Sequence, residues 1–156
     1  MKVIVAFDSV YGNTRKVAEM ITAELVAGGH EATLVSLREK RSAEVKGDML
    51  FLGSPTRMGR MTGKAKRFAK KLDEKEWKGK KAVSFDTIMA MPDDPKERAK
   101  AEKWTVNGAA VRLAEMMRTK GLQVNDQLLR VPVTGLKGPL AENANEMVKE
   151  YLKKVM

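Results

Sequence analysis

The sequence has 156 residues, of which 43% are hydrophobic, enough to form the core of one domain. It contains no cysteine and only one histidine, His30, which excludes disulfides, cysteine-bound metal clusters, thiol redox motifs and histidine-rich metal sites. Redox chemistry would therefore need an organic cofactor or a metal held by other ligands. The apolar amino-terminal run is too short for a signal peptide, and no later run is long enough to cross a membrane. We expect a cytoplasmic protein with a single domain, residues 1–156.

The net charge of +10, from 30 basic and 20 acidic residues, is unevenly distributed. The segment 57–81 contains eleven basic and three acidic residues, a local excess of eight positive charges. A positive field of this kind attracts acidic proteins, nucleic acid or anionic small molecules, and the sequence does not choose among them. A solvated lysine-rich face without a partner is an equally simple interpretation.

Apolar β-branched runs alternate along the chain with amphipathic helical patterns. In chain order, the runs predict strands at residues 3–7, 32–37, 49–53, 82–85 and 122–133. Apolar residues at i, i+3, i+4, i+7 spacing predict helices around residues 17–25, 65–72, 106–117 and 144–155, and a weak helix at 38–46. Several of the strand runs are too continuously apolar for a sheet with one solvated face. We therefore predict an α/β fold, a doubly wound five-stranded parallel sheet with helices on both faces.

Two features do not fit this alternation. Residues 91–103 are charged and include Pro92 and Pro95, which predicts a mobile excursion beside the ligand site, with a dimer contact as the alternative. Trp77 lies in a lysine-rich turn and is interpreted as a surface or packing residue. The sequence leaves both a monomer and a homodimer open.

The loop after the first strand has the features of a phosphate-binding loop. In parallel α/β sheets, ligands bind at the carboxyl ends of the strands, near the point where the strand order reverses. This loop reads Ser9-Val10-Tyr11-Gly12-Asn13-Thr14 and leads directly into a helix. Gly12 permits a tight turn, hydroxyls at both ends can donate, and the free amides at the helix start favour an anion. The loop matches neither the dinucleotide nor the Walker motif, and an ordinary turn with a helix cap is the alternative.

This loop and three further segments resemble the flavodoxin-like family. Ser9 to Thr14 is similar to the family's phosphate loop, Ser/Thr-x-Ser/Thr-Gly-x-Thr, and Gly53-Ser54-Pro55-Thr56-Arg57 is similar to the loop that lies against the flavin ring. Phe85-Asp86-Thr87 ends the fourth strand, where the family's third flavin loop begins. Residues 135–140 resemble the turn before the last helix. The resemblance covers nearly the whole chain and implies the strand order 2-1-3-4-5, in the short form without an insertion in the fifth strand.

The resemblance implies that the chain binds FMN non-covalently. The first loop would hold the phosphate through Ser9, Val10, Tyr11, Gly12, Asn13 and Thr14. The ring would lie between the second and third loops, against Pro55, Thr56, Arg57, Met58, Gly59, Asp86, Thr87 and Ile88. The ring carries the electrons, and the protein supplies position, hydrogen bonds and field. Because no acid–base constellation is present, we predict no catalytic residue and no metal site, and favour an electron carrier over a stand-alone oxidoreductase.

Three departures from the family pattern affect these expectations. Tyr11 stands where a small hydroxyl residue is usual, so its phenol would replace a phosphate donor. The flavin loops offer Met58, Ile88 and Met89 instead of stacking aromatics, which leaves Trp104 as a distant candidate. Flavodoxins are typically acidic, whereas here the strongest positive run follows the second flavin loop. Positive charge near the ring predicts a less negative potential for the second electron.

Two functional hypotheses follow from the sequence. The first is an FMN-binding electron carrier whose basic face, residues 57–81, docks an acidic redox protein of the ferredoxin or reductase type. The second is a flavin-free interaction module that uses the same face to bind an acidic protein or nucleic acid. The two intact flavin loops favour the first hypothesis, and the missing stacking aromatics favour the second.

Overall fold

The fold is built on a parallel β-sheet. The computed structural model describes residues 1–156, with the side chain of Ala43 left out of the description. The strands are β1 (Lys2–Phe7), β2 (Glu31–Ser36), β3 (Met49–Pro55), β4 (Lys81–Met89), β5 (Gln123–Val124) and β6 (Leu129–Val133). Their order is β2-β1-β3-β4, and β5 and β6 both pair with β4, near its start and near its end respectively. The predicted order 2-1-3-4-5 is confirmed, with two short strands sharing the fifth position.

Helices cover both faces of the sheet. They are α1 (Asn13–Ala27), α2 (Gly63–Lys70), α3 (Glu74–Trp77), α4 (Pro95–Thr105), α5 (Ala109–Thr119) and α6 (Ala144–Val155). Successive side chains of a strand point to opposite faces. Val3, Val5 and Phe7 of β1 therefore pack with α1 and α6, whereas Ile4 and Ala6 pack with α2 and α5. The two apolar cores, one on each face, confirm the doubly wound arrangement.

The predicted strand at 122–133 is interrupted in its middle. Asn125 still donates its N–H to the carbonyl of Ala82 (2.9 Å), but its side chain accepts the N–H of Gln127 (2.9 Å). This local hydrogen bond competes with the sheet ladder and turns the chain outward. The hydroxyl of Tyr151 on α6 donates to the carbonyl of Gln127 and ties the turn to the core. Burial raises the pKa of the Tyr151 hydroxyl above its usual range.

One local prediction was wrong, and a second segment is more regular than its sequence indicates. The weak helix predicted at 38–46 is only a 3₁₀ turn at Ser42–Glu44, because this polar segment offers no apolar face for a longer helix to bury. The segment 91–103, predicted as a mobile excursion, is mostly the helix α4, and its mobility and the alternative dimer contact stay predictions. Pro95 occupies the first turn of α4, where proline is tolerated, and the Asp94 carboxylate accepts the N–H of Glu97 (3.1 Å) as its cap. Proline breaks a helix in its interior, whereas Pro95 starts this one.

Trp77 at the end of α3 is fully buried, which confirms the packing interpretation. None of the helices in the described chain is both long enough and apolar enough to cross a membrane.

Candidate functional site

A cleft of about 280 Å³ opens at the carboxyl ends of the central strands. It lies where the loops after β1, β3, β4 and β6 meet, and it is lined by Ser9, Val10, Tyr11, Asn13, Thr14, Pro55, Thr56, Arg57, Met58, Thr87, Ile88, Met89, Val133 and Leu136. Eleven of the fourteen site residues predicted from the sequence are among them. Gly12, Gly59 and Asp86 are not. The structure thus brings the three predicted loops together around one cavity.

The first loop presents backbone donors to the cleft. Gly12 has φ +95° and caps α1, so the chain enters the helix through a left-handed turn that favours glycine. Ser9 Oγ accepts the N–H of Gly12 (3.1 Å) and of Arg15 (3.4 Å), which fixes the turn. The N–H groups of Asn13 and Thr14, in the first helical turn, have no partner inside the helix. With no acidic residue in that turn, these donors and the helix dipole favour an anion.

The floor of the cleft joins the first loop to β4. Thr14 Oγ1 and Thr87 Oγ1 lie 2.9 Å apart, and both residues are buried. Asn13 is also buried and packs closely on the backbone of Gly138, where an added Cβ would lie 2.5 Å from its side-chain oxygen. The loop after β6 therefore closes directly over the start of α1 and carries Leu136 into the lining. Val133 and Leu136 were missed, because their apolar side chains give no local signal for a ligand site.

The second loop is closed by a tight turn. Arg57 and Arg60 exchange both backbone hydrogen bonds, at 2.8 and 2.9 Å, and the residues between them have positive φ, +49° at Met58 and +76° at Gly59. Two consecutive positive φ values are typical of a two-residue hairpin turn of the primed kind. Ser54 Oγ accepts the N–H of Thr62 (3.0 Å) and holds the base of the loop. Met58 stands at the tip, 81% exposed, at the mouth of the cleft.

The mouth of the cleft is positively charged. The side chains of Arg57 and Lys137 lie 5.7 and 5.9 Å from the centre of the Tyr11 ring, within the range of cation–π attraction. Among the described residues that line the cleft, none is acidic. Tyr11 therefore holds two cations beside the phosphate-binding loop, a role that the sequence pattern did not reveal.

Asp86 is a correction to the predicted site. Its side chain is fully buried behind the cleft, where Arg130 donates from Nε to Oδ1 (3.0 Å) and from Nη2 to Oδ2 (2.8 Å). Oδ2 also accepts the Thr56 hydroxyl (2.7 Å) and the N–H of Ala110 at the start of α5 (3.1 Å). Asp86 is therefore a positioning residue for the second loop and not a lining residue. Arg130, the one charged residue in the strand β6, was the available signal for this pairing.

The cleft continues past Met58 and Met89 into a second, larger groove of about 570 Å³ beside α4. Gly59 lies against Trp104 here, since a Cβ built on Gly59 would be 3.6 Å from the indole ring. Trp104 is 55% exposed and lines the groove. Six of the ten large hydrophobic side chains that are exposed in the described chain surround the cleft or the groove: Val10, Tyr11, Met58, Met89, Trp104 and Leu136. An apolar rim of this size is typical of a binding site.

The combined site fits a ligand with an anionic end and a flat apolar end. The start of α1 supplies uncharged donors at one end, and the methionines and Trp104 supply apolar surface at the other. Among the described residues, no group of three or more acidic or histidine side chains could hold a metal ion.

Comparisons with a family model and with solved structures all find flavodoxins. Residues 4–129 match the family model for the flavodoxin domain. A flavodoxin from the domain Archaea is 22% identical, with a TM-score of 0.73 and 99% of each chain covered. Flavodoxin 1 from Bacillus cereus is 21% identical, with a TM-score of 0.72 over 99% of this chain and 97% of that one. A flavodoxin from Pseudomonas aeruginosa is 17% identical, with a TM-score of 0.75 over 99% and 96%. No curated protein matches the chain.

These structural likenesses show the fold, and the match to the family model includes the loops after β1, β3 and β4 but ends where β6 begins. The chain therefore belongs to the flavodoxin family.

Proposed function

We propose that this protein binds FMN in the cleft and carries electrons between redox partners. The observation that carries the proposal is the junction, in one cavity, of an anion-binding helix start with an apolar groove. When bound, the flavin ring supplies the electron-transfer chemistry. The protein's own residues bind, orient and shield it.

The residues present fit each part of FMN. The N–H groups of Asn13 and Thr14, with the positive end of α1 behind them, suit a phosphate. The hydroxyls of Thr14 and Thr87 lie on the cleft floor and suit the polar chain that joins phosphate to ring. The apolar side chains of Met58 and Met89 suit the ring itself, because thioethers pack favourably on aromatic surfaces.

Trp104 is our candidate for the stacking aromatic that the flavin loops lack. It reaches the groove from α4 and not from a loop, and it lies against the Gly59 turn beside Met58. Stacking of an indole on the ring contributes about 0.5–1.5 kcal/mol beyond the area buried. We expect Trp104→Ala to weaken FMN binding by at least about twofold to tenfold. Val106→Ala, which truncates a neighbouring exposed residue outside the groove, should leave the affinity unchanged.

The proposal is tested by titrating the purified protein with FMN and, separately, with riboflavin. Flavin fluorescence is measured at each step of the titration. We expect one FMN per chain with quenched emission. FMN should bind about tenfold to a hundredfold more tightly than riboflavin, because only FMN carries the phosphate. Equal affinities would place the phosphate outside the Ser9–Thr14 loop. No binding at high FMN concentration would overturn the proposed function.

We further propose that an acidic protein is the redox partner, but the basic segment 57–81 does not form one face. Arg57 lines the cleft, whereas Lys81 begins β4 at the opposite end of the sheet. Lys80 is already used, since its Nζ donates to the carbonyl of Gly47 (2.7 Å) and pairs with Glu76 (3.0 Å). The proposed docking surface is therefore limited to the cleft side of the segment and to α2.

A further inference from the structure

A third concave surface, which we call the basic groove, lies between α2 and the turn that follows β2. It has a volume of about 450 Å³ and is lined by Leu37, Lys40, Arg41, Ser42, Lys64, Arg67, Phe68 and Lys71. Five of these eight residues are basic and, within the described lining, none is acidic. The groove shares no residue with the cleft.

The five cations of the basic groove lack protein counter-ions. The described residues form nine ion pairs, and none of them includes Lys40, Arg41, Lys64, Arg67 or Lys71. Nine of the 30 lysines and arginines take part in these ion pairs, so unpaired cations also occur elsewhere on the described surface. The groove is distinguished because five such cations converge on one concave surface whose described lining holds no carboxylate.

The arrangement on α2 is self-repelling. The helix has the sequence GKAKRFAK, without any acidic residue. Lys64 and Arg67 lie at i and i+3 on one side of α2, where like charges destabilise a helix, and Lys71, the residue that caps α2, continues that side. Lys64 also lies in the first turn, where the helix dipole disfavours a cation. An anionic ligand in the groove would relieve both penalties.

Apolar side chains form the floor of the basic groove, and a hydrogen bond between its two walls fixes its width. Leu37 and the largely buried Phe68 provide apolar floor between the charged rims. Ser42 Oγ donates to the carbonyl of Lys71 (3.0 Å), which ties the turn after β2 to the end of α2. The two charged walls are thus held at a fixed separation by a direct hydrogen bond.

We propose that the basic groove docks an acidic segment of a partner protein, with carboxylates on the two rims and an apolar side chain on the floor. Charge complementarity requires an anionic occupant. The apolar floor favours a peptide over duplex nucleic acid, whose bases are stacked inside the helix and whose outer surface is mainly charged sugar–phosphate backbone. Lys40 and Arg41 follow β2, and Lys64 follows the second loop, so the groove opens at the same end of the sheet as the cleft. Identification of this partner as the redox partner rests on the proposed function.

The experiment measures binding of a fluorescein-labelled peptide, three glutamates on either side of a leucine, by fluorescence anisotropy at low and high salt. Two charge-neutralising pairs are compared with wild type, Lys64→Gln/Arg67→Gln on one wall and Lys40→Gln/Arg41→Gln on the other. The control, Lys66→Gln/Lys70→Gln, removes the same charge from α2 outside the groove. Each groove pair should weaken binding about tenfold and the control less than about twofold.

Three results would overturn the proposal: no binding of the peptide, an equal loss in the control, or tighter binding of duplex DNA that the groove variants abolish. The last result would make nucleic acid the occupant. FMN affinity is measured in the same variants and should not change, because no groove residue lines the cleft. Failure of wild type to bind FMN would remove the proposed function and leave the peptide measurement as an independent test of the groove.

Discussion

Asp86 provides the sharpest test of the structural reasoning, because its buried carboxylate joins four elements. It connects β4 to Arg130 on β6, to Thr56 in the second loop and to the N–H of Ala110 at the start of α5. Thr56 Oγ1 in turn accepts the N–H of Ala109 (2.9 Å). The perturbation is Asp86→Asn, which keeps the shape of the side chain and removes its charge.

The expected cost follows from the hydrogen bonds and the ion pair that the substitution breaks. Asparagine keeps one acceptor, but its amide turns donor hydrogens towards the guanidinium of Arg130 or the N–H of Ala110. Breaking a buried ion pair by removing one partner costs about 3–5 kcal/mol. Because the Arg130 side chain is 21% exposed and keeps some water, we expect the lower end, about 3 kcal/mol.

The assay is urea unfolding of wild type, Asp86→Asn, Arg130→Met and the double variant. If the two residues act as a pair, the double variant loses less stability than the sum of the single variants, by about 2 kcal/mol. Additive losses, or a loss below about 1 kcal/mol for Asp86→Asn, would refute the pairing.

Three further predictions concern the cleft and the last helix. Gly12→Val should abolish FMN binding, because valine is strained at φ +95° and the first loop cannot keep its conformation. Unfolding of the variant should stay cooperative, and retained affinity in the FMN titration would contradict the prediction. Arg57→Gln should make the potential for the second electron more negative by tens of millivolts, on the order expected for one nearby charge, whereas Lys66→Gln should not; spectroelectrochemistry distinguishes them. The Tyr151 hydroxyl stays protonated in the folded state beyond about pH 10, where it ionises in the unfolded chain, so stability falls as pH rises above that value. Tyr151→Phe removes the hydrogen bond to Gln127 and should lower the free energy of unfolding by about 1 kcal/mol at neutral pH. In urea unfolding at alkaline pH, the variant should not show the part of the stability loss that comes from Tyr151.

The strand order and the meeting of the three loops were predictable from the sequence. Continuous apolar runs such as Val3 to Phe7 require burial on both faces, which only a sheet between two helical layers provides. Once the sheet is parallel, the loops at Ser9–Thr14 and Pro55–Gly59 must share one end of it. The parallel sheet and the meeting of the loops depend on local pattern and topology, whereas the order 2-1-3-4-5 was implied by the resemblance to the flavodoxin-like family.

The remaining details depend on contacts between residues distant in sequence. The position of Asp86 at a strand end predicts a place in the site, but its partner Arg130 is 44 residues away and turns it inward. The sequence makes Trp104 only a distant candidate for stacking on a flavin ring. In the structure, α4 brings the indole of Trp104 against Gly59 of the second loop. The break at Asn125 arises from a side-chain hydrogen bond that an apolar pattern does not report.

The positive charge of the chain acts at separate places and not as one field. β4 runs from Lys81 to Met89, a separation of about 26 Å at a strand rise of roughly 3.3 Å per residue. Since exposed charges are screened over about 8 Å at physiological salt, the lysines before β4 have little influence on the cleft. The field at the cleft comes instead from Arg57 and Lys137 and from the lack of carboxylates in the described lining. The cleft and the basic groove share no residue, so substitutions at Arg57 and at the groove test the proposed flavin site and the proposed docking site separately.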